Sequence, residues 1–167
     1  MKATNNSHGS EPSIFCFTSN AIGEVILRLS AAHHVAADFR GKVLATTQLG
    51  KRLVKYYDTH QSELFHVVRN DRKLVADCVD AWVAVVPFVK NMVDATSKTG
   101  SKETKQTIRF SKQNHVRWVA LINRFRSGSK NRAFRKVLDE LEPELGRYVG
   151  LSAPEAVETL RSSRQRE

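Results

Sequence analysis

Hydrophobic positions recur at helical intervals along most of the chain. The most regular series follows Asn70, where apolar side chains are spaced four, three, four, three and four residues apart (Val75, Val79, Trp82, Val86, Val89 and Val93). This seven-residue repeat predicts a helix that packs against others at a shallow angle. Pro87 predicts a kink near Val83, because proline removes a backbone donor. A strand over WVAVVPFV is the alternative, but the helical spacing extends well beyond those residues.

The stretch before residue 70 predicts three further helices. Ser19 or Asn20 can cap the first, over residues 21–45, and Gly41 bends or ends it. Thr47 can cap the second, on which Leu49, Leu53, Tyr56 and Tyr57 share a face. The run Asp58–Thr59–His60 predicts a break, and the short helix that follows holds Leu64, Phe65 and Val68.

Two basic amphipathic helices are predicted after residue 109. In the first, over 110–126, one face is apolar and the roughly opposite face carries Arg109, Gln113, Arg117 and Arg124. A turn over 127–131 ends at Asn131, a candidate cap. The second helix, Arg132 to Leu141, repeats the arrangement. The predicted inward side chains are Trp118, Leu121, Ile122 and Phe125 in the first helix and Phe134, Val137, Leu138 and Leu141 in the second; Arg132, Arg135 and Lys136 point outward.

The end of the chain predicts one more short helix. Pro143 begins a new helical turn that extends through Tyr148. Ser152 followed three residues later by Glu155 matches a capping box and opens the last helix.

These elements predict an all-α protein divided by the polar run TSKTGSKETKQ at 96–106. The expected organisation is a disordered tail over 1–13, a helical bundle over 14–96 and a basic linker over 97–107. Residues 108–167 would form a basic helix–turn–helix hairpin with a short C-terminal helix. The two helical parts are expected to share one core, because the apolar faces of the hairpin need a packing partner.

Charge is concentrated in one part of the chain. The whole sequence carries a formal net charge of +10, and residues 97–136 hold twelve lysines and arginines but a single acid, Glu103. Such a local excess is typical of a surface that contacts a polyanion. Arginine predominates after residue 106, and its planar guanidinium suits phosphate geometry.

The leading functional prediction is therefore a non-enzymatic protein that contacts nucleic-acid phosphates with low sequence specificity. The alternative is a small helical adaptor or regulatory protein that docks an acidic protein partner or completes a helical assembly. The predicted nucleic-acid-binding residues are Arg109, Lys112, Arg117, Arg124, Arg126, Lys130, Arg132, Arg135 and Lys136. The aromatic residues Phe110, Trp118, Phe125 and Phe134 are assigned to core packing rather than to base stacking.

No catalytic, metal or cofactor site is predicted. His33 and His34 are adjacent, which is wrong for a ligand pair on one helix face, and no glycine-rich phosphate loop is present. Cys16 is interpreted as a small buried residue, and a cysteine nucleophile with a distant histidine is the alternative. Asp77 and Asp80 are interpreted as the polar edge of the valine-rich helix, facing Arg72 or Lys73.

The sequence also predicts the cellular location of the protein and the redox state of its cysteines. The polar start of the sequence lacks the apolar run of a signal peptide. The apolar stretch Ala81–Val89 is too short to span a membrane, which needs about 20 residues. Two cysteines, Cys16 and Cys78, favour a reducing compartment, and a cytoplasmic protein is predicted. A Cys16–Cys78 bridge is the alternative. Oligomeric state is left open.

Several short motifs between residues 14 and 90 resemble those of the CFI-box carboxy-terminal helical domain of bacterial proteins. These are Cys16-Phe17 followed by small residues and Gly23, Phe39-Arg40, Leu49-Gly50, Val54-Lys55-Tyr56-Tyr57, and a valine-rich segment with Pro87. The resemblance implies a bacterial origin and a compact all-helical module that is usually attached to other domains. It implies no particular chemistry.

Overall fold

The computed structural model describes the backbone of residues 26–69, 71–96 and 108–162, with side chains from residue 32 onward within these ranges. The described residues form six α-helices and no β-strand, which confirms the all-α prediction. The tail 1–13, the linker 97–107, Cys16 and the predicted caps Ser19 and Asn20 lie outside the described residues. The helices are α1 Ile26–Asp38, α2 Gln48–Arg69, α3 Arg72–Thr96, α4 Lys112–Gly128, α5 Arg132–Gly146 and α6 Ala153–Ser162.

The valine-rich helix α3 lies at the centre and packs against α1, α4 and α6. Five of the six positions of its seven-residue repeat are buried, and Val86 is half-buried, as the spacing predicts. The strand alternative is wrong, because the helix is continuous from Arg72 to Thr96 through an exposed Pro87. Valine has a modest helix propensity, so contacts with three neighbouring helices stabilise this segment.

The region between α1 and α2 turns tightly, and Gly41 lies within it. The chain leaves α-helical geometry at Phe39, forms a π-helical turn over Phe39–Val43, and then a 3-10 turn over Leu44–Thr46. Thr47 caps α2 as predicted, because the Gly50 N–H donates to Thr47 Oγ1 at 3.1 Å. A Cβ atom at Gly50 would lie 2.3 Å from the Leu44 carbonyl oxygen, so the close approach requires glycine.

The break predicted at Asp58–Thr59–His60 is wrong, since α2 runs through it without interruption. Partners from other elements hold the polar side chains of this run. Asp58 pairs with Arg40 at 3.1 Å, and the His60 ring lies 5.5 Å from the ring of Phe134. Tertiary contacts therefore override a local preference for a turn.

The boundaries of the hairpin differ from the prediction in two places. Helix α4 begins at Lys112, capped by Ser111, while Phe110 is buried against Phe88. Helix α5 continues to Gly146 with Pro143 inside it, so the predicted end at Leu141 is wrong. Leu141 and Leu145 both pack against the core, which favours continuing the helix.

The side chains predicted to cap α5 and α6 contact the starts of those helices. Asn131 Oδ1 accepts from the Phe134 N–H at 3.1 Å at the start of α5. Glu155 Oε2 accepts from both the N–H and the Oγ of Ser152, at 2.7 and 2.6 Å, which supplies the glutamate half of the predicted capping box of α6. These contacts satisfy backbone donors that a helix start leaves unpaired.

Two hydrophobic clusters join helices from both sides of residues 97–107. One contains Val85 and Phe88 of α3 together with Val157 and Leu160 of α6. The other contains Val67 of α2 and residues of α4 and α5, including Leu121, Phe125, Phe134 and Leu138. The apolar face of the hairpin thus packs against the earlier helices, as its sequence requires.

Candidate nucleic-acid interface

The turn between α4 and α5 is fixed by contacts on both sides. Ser129 is buried; its hydroxyl donates to Glu63 of α2 and accepts from the Asn131 N–H at 3.0 Å. A Cβ atom at Gly128 would lie 2.8 Å from Val67 Cγ1, so α2 packs closely against the turn. The cations that flank this turn are therefore presented by a well-ordered backbone.

Four cations project from this turn and from the start of α5, and we call them the turn cluster: Lys130, Arg132, Arg135 and Lys136. All four are exposed, and none forms an ion pair with another described residue. The first turn of α5 carries no acidic side chain. The positive end of the helix dipole therefore adds to the charge of the cluster.

Lys112 and Arg117 are two further exposed cations, both on α4. Neither has an acidic partner within the described ranges. Arg117 lies about 15 Å along the helix from the turn, at 1.5 Å per residue. These two residues can extend the turn cluster along the hairpin but are not part of it.

Arg124 does not lie on the outer face as predicted. Its guanidinium is half-buried against α3. Nη2 lies 2.5 Å from Oδ2 of Asp71, which directly precedes that helix, and Nη1 bonds Asp77 within the helix. The Leu74 N–H, and next the Arg124 guanidinium, hold the pKa of Asp71 below its ordinary value. Asp77 therefore faces Arg124 rather than Arg72 or Lys73. Arg124, which the sequence predicts on the outer face, therefore joins α4 to α3.

Arg126 and Arg109 also have acidic partners. Arg126 Nε lies 2.8 Å from Asp139 Oδ1, and Nη2 lies 2.7 Å from Glu142 Oε2. Arg109 donates to the Gly150 carbonyl oxygen at 2.6 Å and lies 3.4 Å from Glu155 Oε2. Arg126 joins the two helices of the hairpin, and Arg109 joins the segment before α4 to the start of α6.

The aromatic residues of the hairpin belong to the core. Phe110, Phe125 and Phe134 are buried and Trp118 is half-buried, as predicted. Base recognition by aromatic stacking is therefore not available from these four side chains. What the surface offers is charge and hydrogen-bond donors, which suit phosphates better than base edges.

Two lysines that the charge count along the sequence did not single out lie on α2. Tyr56 Oη donates to Glu140 Oε2 of α5 at 2.8 Å, so the first half of α2 lies beside α5. Lys51 and Lys55 are exposed on that half. A count along the sequence cannot show that these lysines lie on a helix that contacts the hairpin.

Within the part of the chain that the structure describes, no group of three His, Cys, Asp or Glu side chains could hold a metal ion. The rings of His33 and His34 lie 6.1 Å apart. In the same ranges, none of the helices combines the length and hydropathy needed to cross a bilayer.

No family model, curated protein or solved structure matches the chain. The resemblance to the CFI-box domain, and the bacterial origin that it implies, therefore stay predictions.

Proposed function

We propose that this is a non-enzymatic binding protein whose turn cluster contacts nucleic-acid phosphates. The observation that supports the proposal is the exposure of Lys130, Arg132, Arg135 and Lys136 at a helix start that lacks any acidic side chain. Cations without acidic partners repel one another and the helix dipole, and a polyanion relieves that repulsion. Lys112 and Arg117 extend the contact.

The arrangement favours backbone contacts over base recognition. Arginine forks and lysine ammonium groups bind phosphate oxygens, and binding releases condensed counterions. Specificity is expected to be low unless the side chains of Lys130 and Arg132 reach base edges. With four to six phosphate contacts, the logarithm of the affinity for duplex DNA should fall with the logarithm of salt concentration at a slope of roughly −4 to −5.

The test is fluorescence anisotropy of short labelled single-stranded RNA, single-stranded DNA and duplex DNA, from low to physiological salt. The variant Arg132→Glu/Arg135→Glu should lose binding about 100-fold. Its matched control is Lys73→Glu/Lys90→Glu, which changes net charge equally at exposed positions of α3. The control should lose less than about fivefold, because it changes only the long-range field.

The alternative function, an adaptor that docks an acidic protein surface, uses the same cations and gives a different result. An adaptor would bind all three nucleic acids equally and only at low salt. Equal losses for the two double variants would also contradict the proposal, since they would show attraction by net charge rather than contact at the turn cluster.

A further inference from the structure

The helices line an apolar cavity of about 470 Å³ that is partly open to solvent. Every helix from α2 to α6 contributes to its wall, together with the π-helical turn. Representative wall residues are Phe39, Leu53, Val85, Leu121, Leu138 and Leu160. Among the described wall residues, Glu144 alone carries a charge. The cavity therefore lies inside the shared core and is separate from the turn cluster.

A void of this size is unfavourable when it is empty. Leaving space in a core destabilises a protein in proportion to the volume of the space. Largely apolar walls hold water weakly, and engineered apolar cavities of about 150 Å³ already bind benzene. An apolar occupant would restore the missing contacts, so the cavity favours a ligand of that kind.

The volume fits a small molecule better than a partner helix. One turn of a helix 10–12 Å in diameter rises 5.4 Å and takes up roughly 400–600 Å³, so this space holds about one turn. The same volume lies within the range of about 300–1,000 Å³ that is typical of small-molecule sites. A small molecule therefore suits this space better than a segment of secondary structure.

The polar groups at the wall indicate the charge of that molecule. The Glu144 carboxylate accepts from Arg147 Nη1 at 3.0 Å and from Tyr148 Oη at 3.5 Å, so it already has partners. No lysine or arginine is among the described wall residues. An anionic headgroup in the cavity would lie near the Glu144 carboxylate, and no cationic wall residue would pair with that headgroup, which is unfavourable.

We infer that the cavity binds a neutral molecule with a hydrocarbon chain, such as a long-chain alcohol or an isoprenoid. The chain of the ligand lies among the side chains of α3 and α4, and its neutral polar end lies near Glu144 and Tyr148. Nothing in this inference depends on nucleic-acid binding.

The unmodified full-length chain contains its own reporter. It has two tryptophans, Trp82 and Trp118, and both line the cavity. Titration with 11-bromoundecan-1-ol should quench their fluorescence saturably, because bromine quenches only at close range. Undecan-1-ol should not quench but should restore the emission by competition. The anionic 11-bromoundecanoic acid should quench with at least tenfold weaker affinity, because its carboxylate lacks a cation in the cavity.

Two valine variants on α3 test the location. Val85 lines the cavity, whereas Val93 is buried on the same helix and is not among the wall residues. Val85→Phe should fill the space and weaken binding of the bromo-alcohol about tenfold, because several methylene groups lose their contacts. Val93→Phe should change affinity less than about twofold, and circular dichroism checks the folding of both.

Three results would overturn the inference. They are absence of quenching in the folded full-length chain, quenching that does not saturate, and equal affinity for the bromo-alcohol and the bromo-acid. The first two need no variant, so the inference is tested even if a phenylalanine variant fails to fold. Absence of quenching would mean that the cavity is closed or is filled by the chain itself.

Discussion

Arg124 and Arg135 come from the same dense run of cations, but their surroundings differ. Arg124 lies half-buried between Asp71 and Asp77 and joins α4 to α3. Arg135 is exposed in the turn cluster and forms no ion pair with another described residue. The first arginine stabilises the contact between two helices, and the second is available to a ligand.

The difference shows that charge along a sequence and charge on a surface are separate quantities. The acids that pair with the run of cations come from outside it: Asp71 and Asp77 precede it, and Asp139, Glu142 and Glu155 follow it. Folding brings these acids to Arg109, Arg124 and Arg126. The electrostatic surface of the hairpin is therefore smaller than the composition suggests and is concentrated at one end.

The arginines thus fall into two groups, those that pair with acids and join helices, such as Arg124, and those that are exposed in the turn cluster, such as Arg135. The largest expected effects come from reversing one charge in each group. Arg124→Glu would bring three carboxylates together and should lower Tm by roughly 5 °C, since like charges in a partly solvent-shielded site repel one another. Arg135→Glu should change Tm by less than about 2 °C but lower nucleic-acid affinity about tenfold. Thermal unfolding and anisotropy of both variants make the comparison.

The control for this pair is affinity measured on the folded fraction alone. At a temperature where Arg124→Glu is folded, its affinity should lie within about threefold of the unchanged protein, through the long-range field only. A tenfold loss of binding in a folded Arg124→Glu would contradict the division into two groups.

A smaller effect is expected at Arg117, which lies on α4 seven residues before Arg124. Arg117→Gln should lower affinity about threefold and make the salt slope shallower by about 1, because one phosphate contact is lost. Lys90→Gln, at an exposed position of α3, is the matched control and should leave the slope unchanged. An unchanged slope for Arg117→Gln would restrict the contact to the turn cluster.

Arg117 and Arg124 also show how far the sequence predicts this structure. Their spacing of seven places them on similar sides of a helix, and local patterns also predict the caps at Thr47, Asn131 and Ser152 correctly. Those features depend on neighbours along the chain. The partners of Arg124 lie 53 and 47 residues away, so no local pattern could find them.

The errors in predicting the helices have the same physical origin. A run that favours a turn at Asp58–His60 stays helical because Arg40 and Phe134 contact its side chains. The apolar cavity likewise depends on how several helices and turns meet, and each wall residue taken alone has the sequence pattern of an ordinary core residue. Local periodicity predicts elements, whereas contacts between elements decide their boundaries and sites.

Acid should weaken the ion pair between Arg124 and Asp71. The lowered pKa of Asp71 means that its stabilising contribution is complete above the ordinary value of 3.8 and is lost as pH falls through the folded-state value. Asp71→Asn keeps an acceptor for the Leu74 N–H but removes the charge. Its Tm should be about 3 °C lower at pH 7, and this difference should shrink as pH falls below 3.8. A Tm difference that stays constant from pH 7 to acid would contradict the assignment of Asp71 as a charged partner of Arg124.

The smallest expected effect is a gain in stability from a change that impairs binding. Arg132 is the first residue of α5, where a cation opposes the helix dipole. Arg132→Glu should therefore raise the free energy of unfolding by about 0.5 kcal/mol while lowering nucleic-acid affinity. Arg135→Glu, one turn further on, should give a smaller gain because the dipole effect fades after the first turn. Chemical denaturation of both variants measures the difference. A cation kept at a position where it costs stability is expected of a binding residue, whereas a loss of stability in Arg132→Glu would show that Arg132 supports the fold instead.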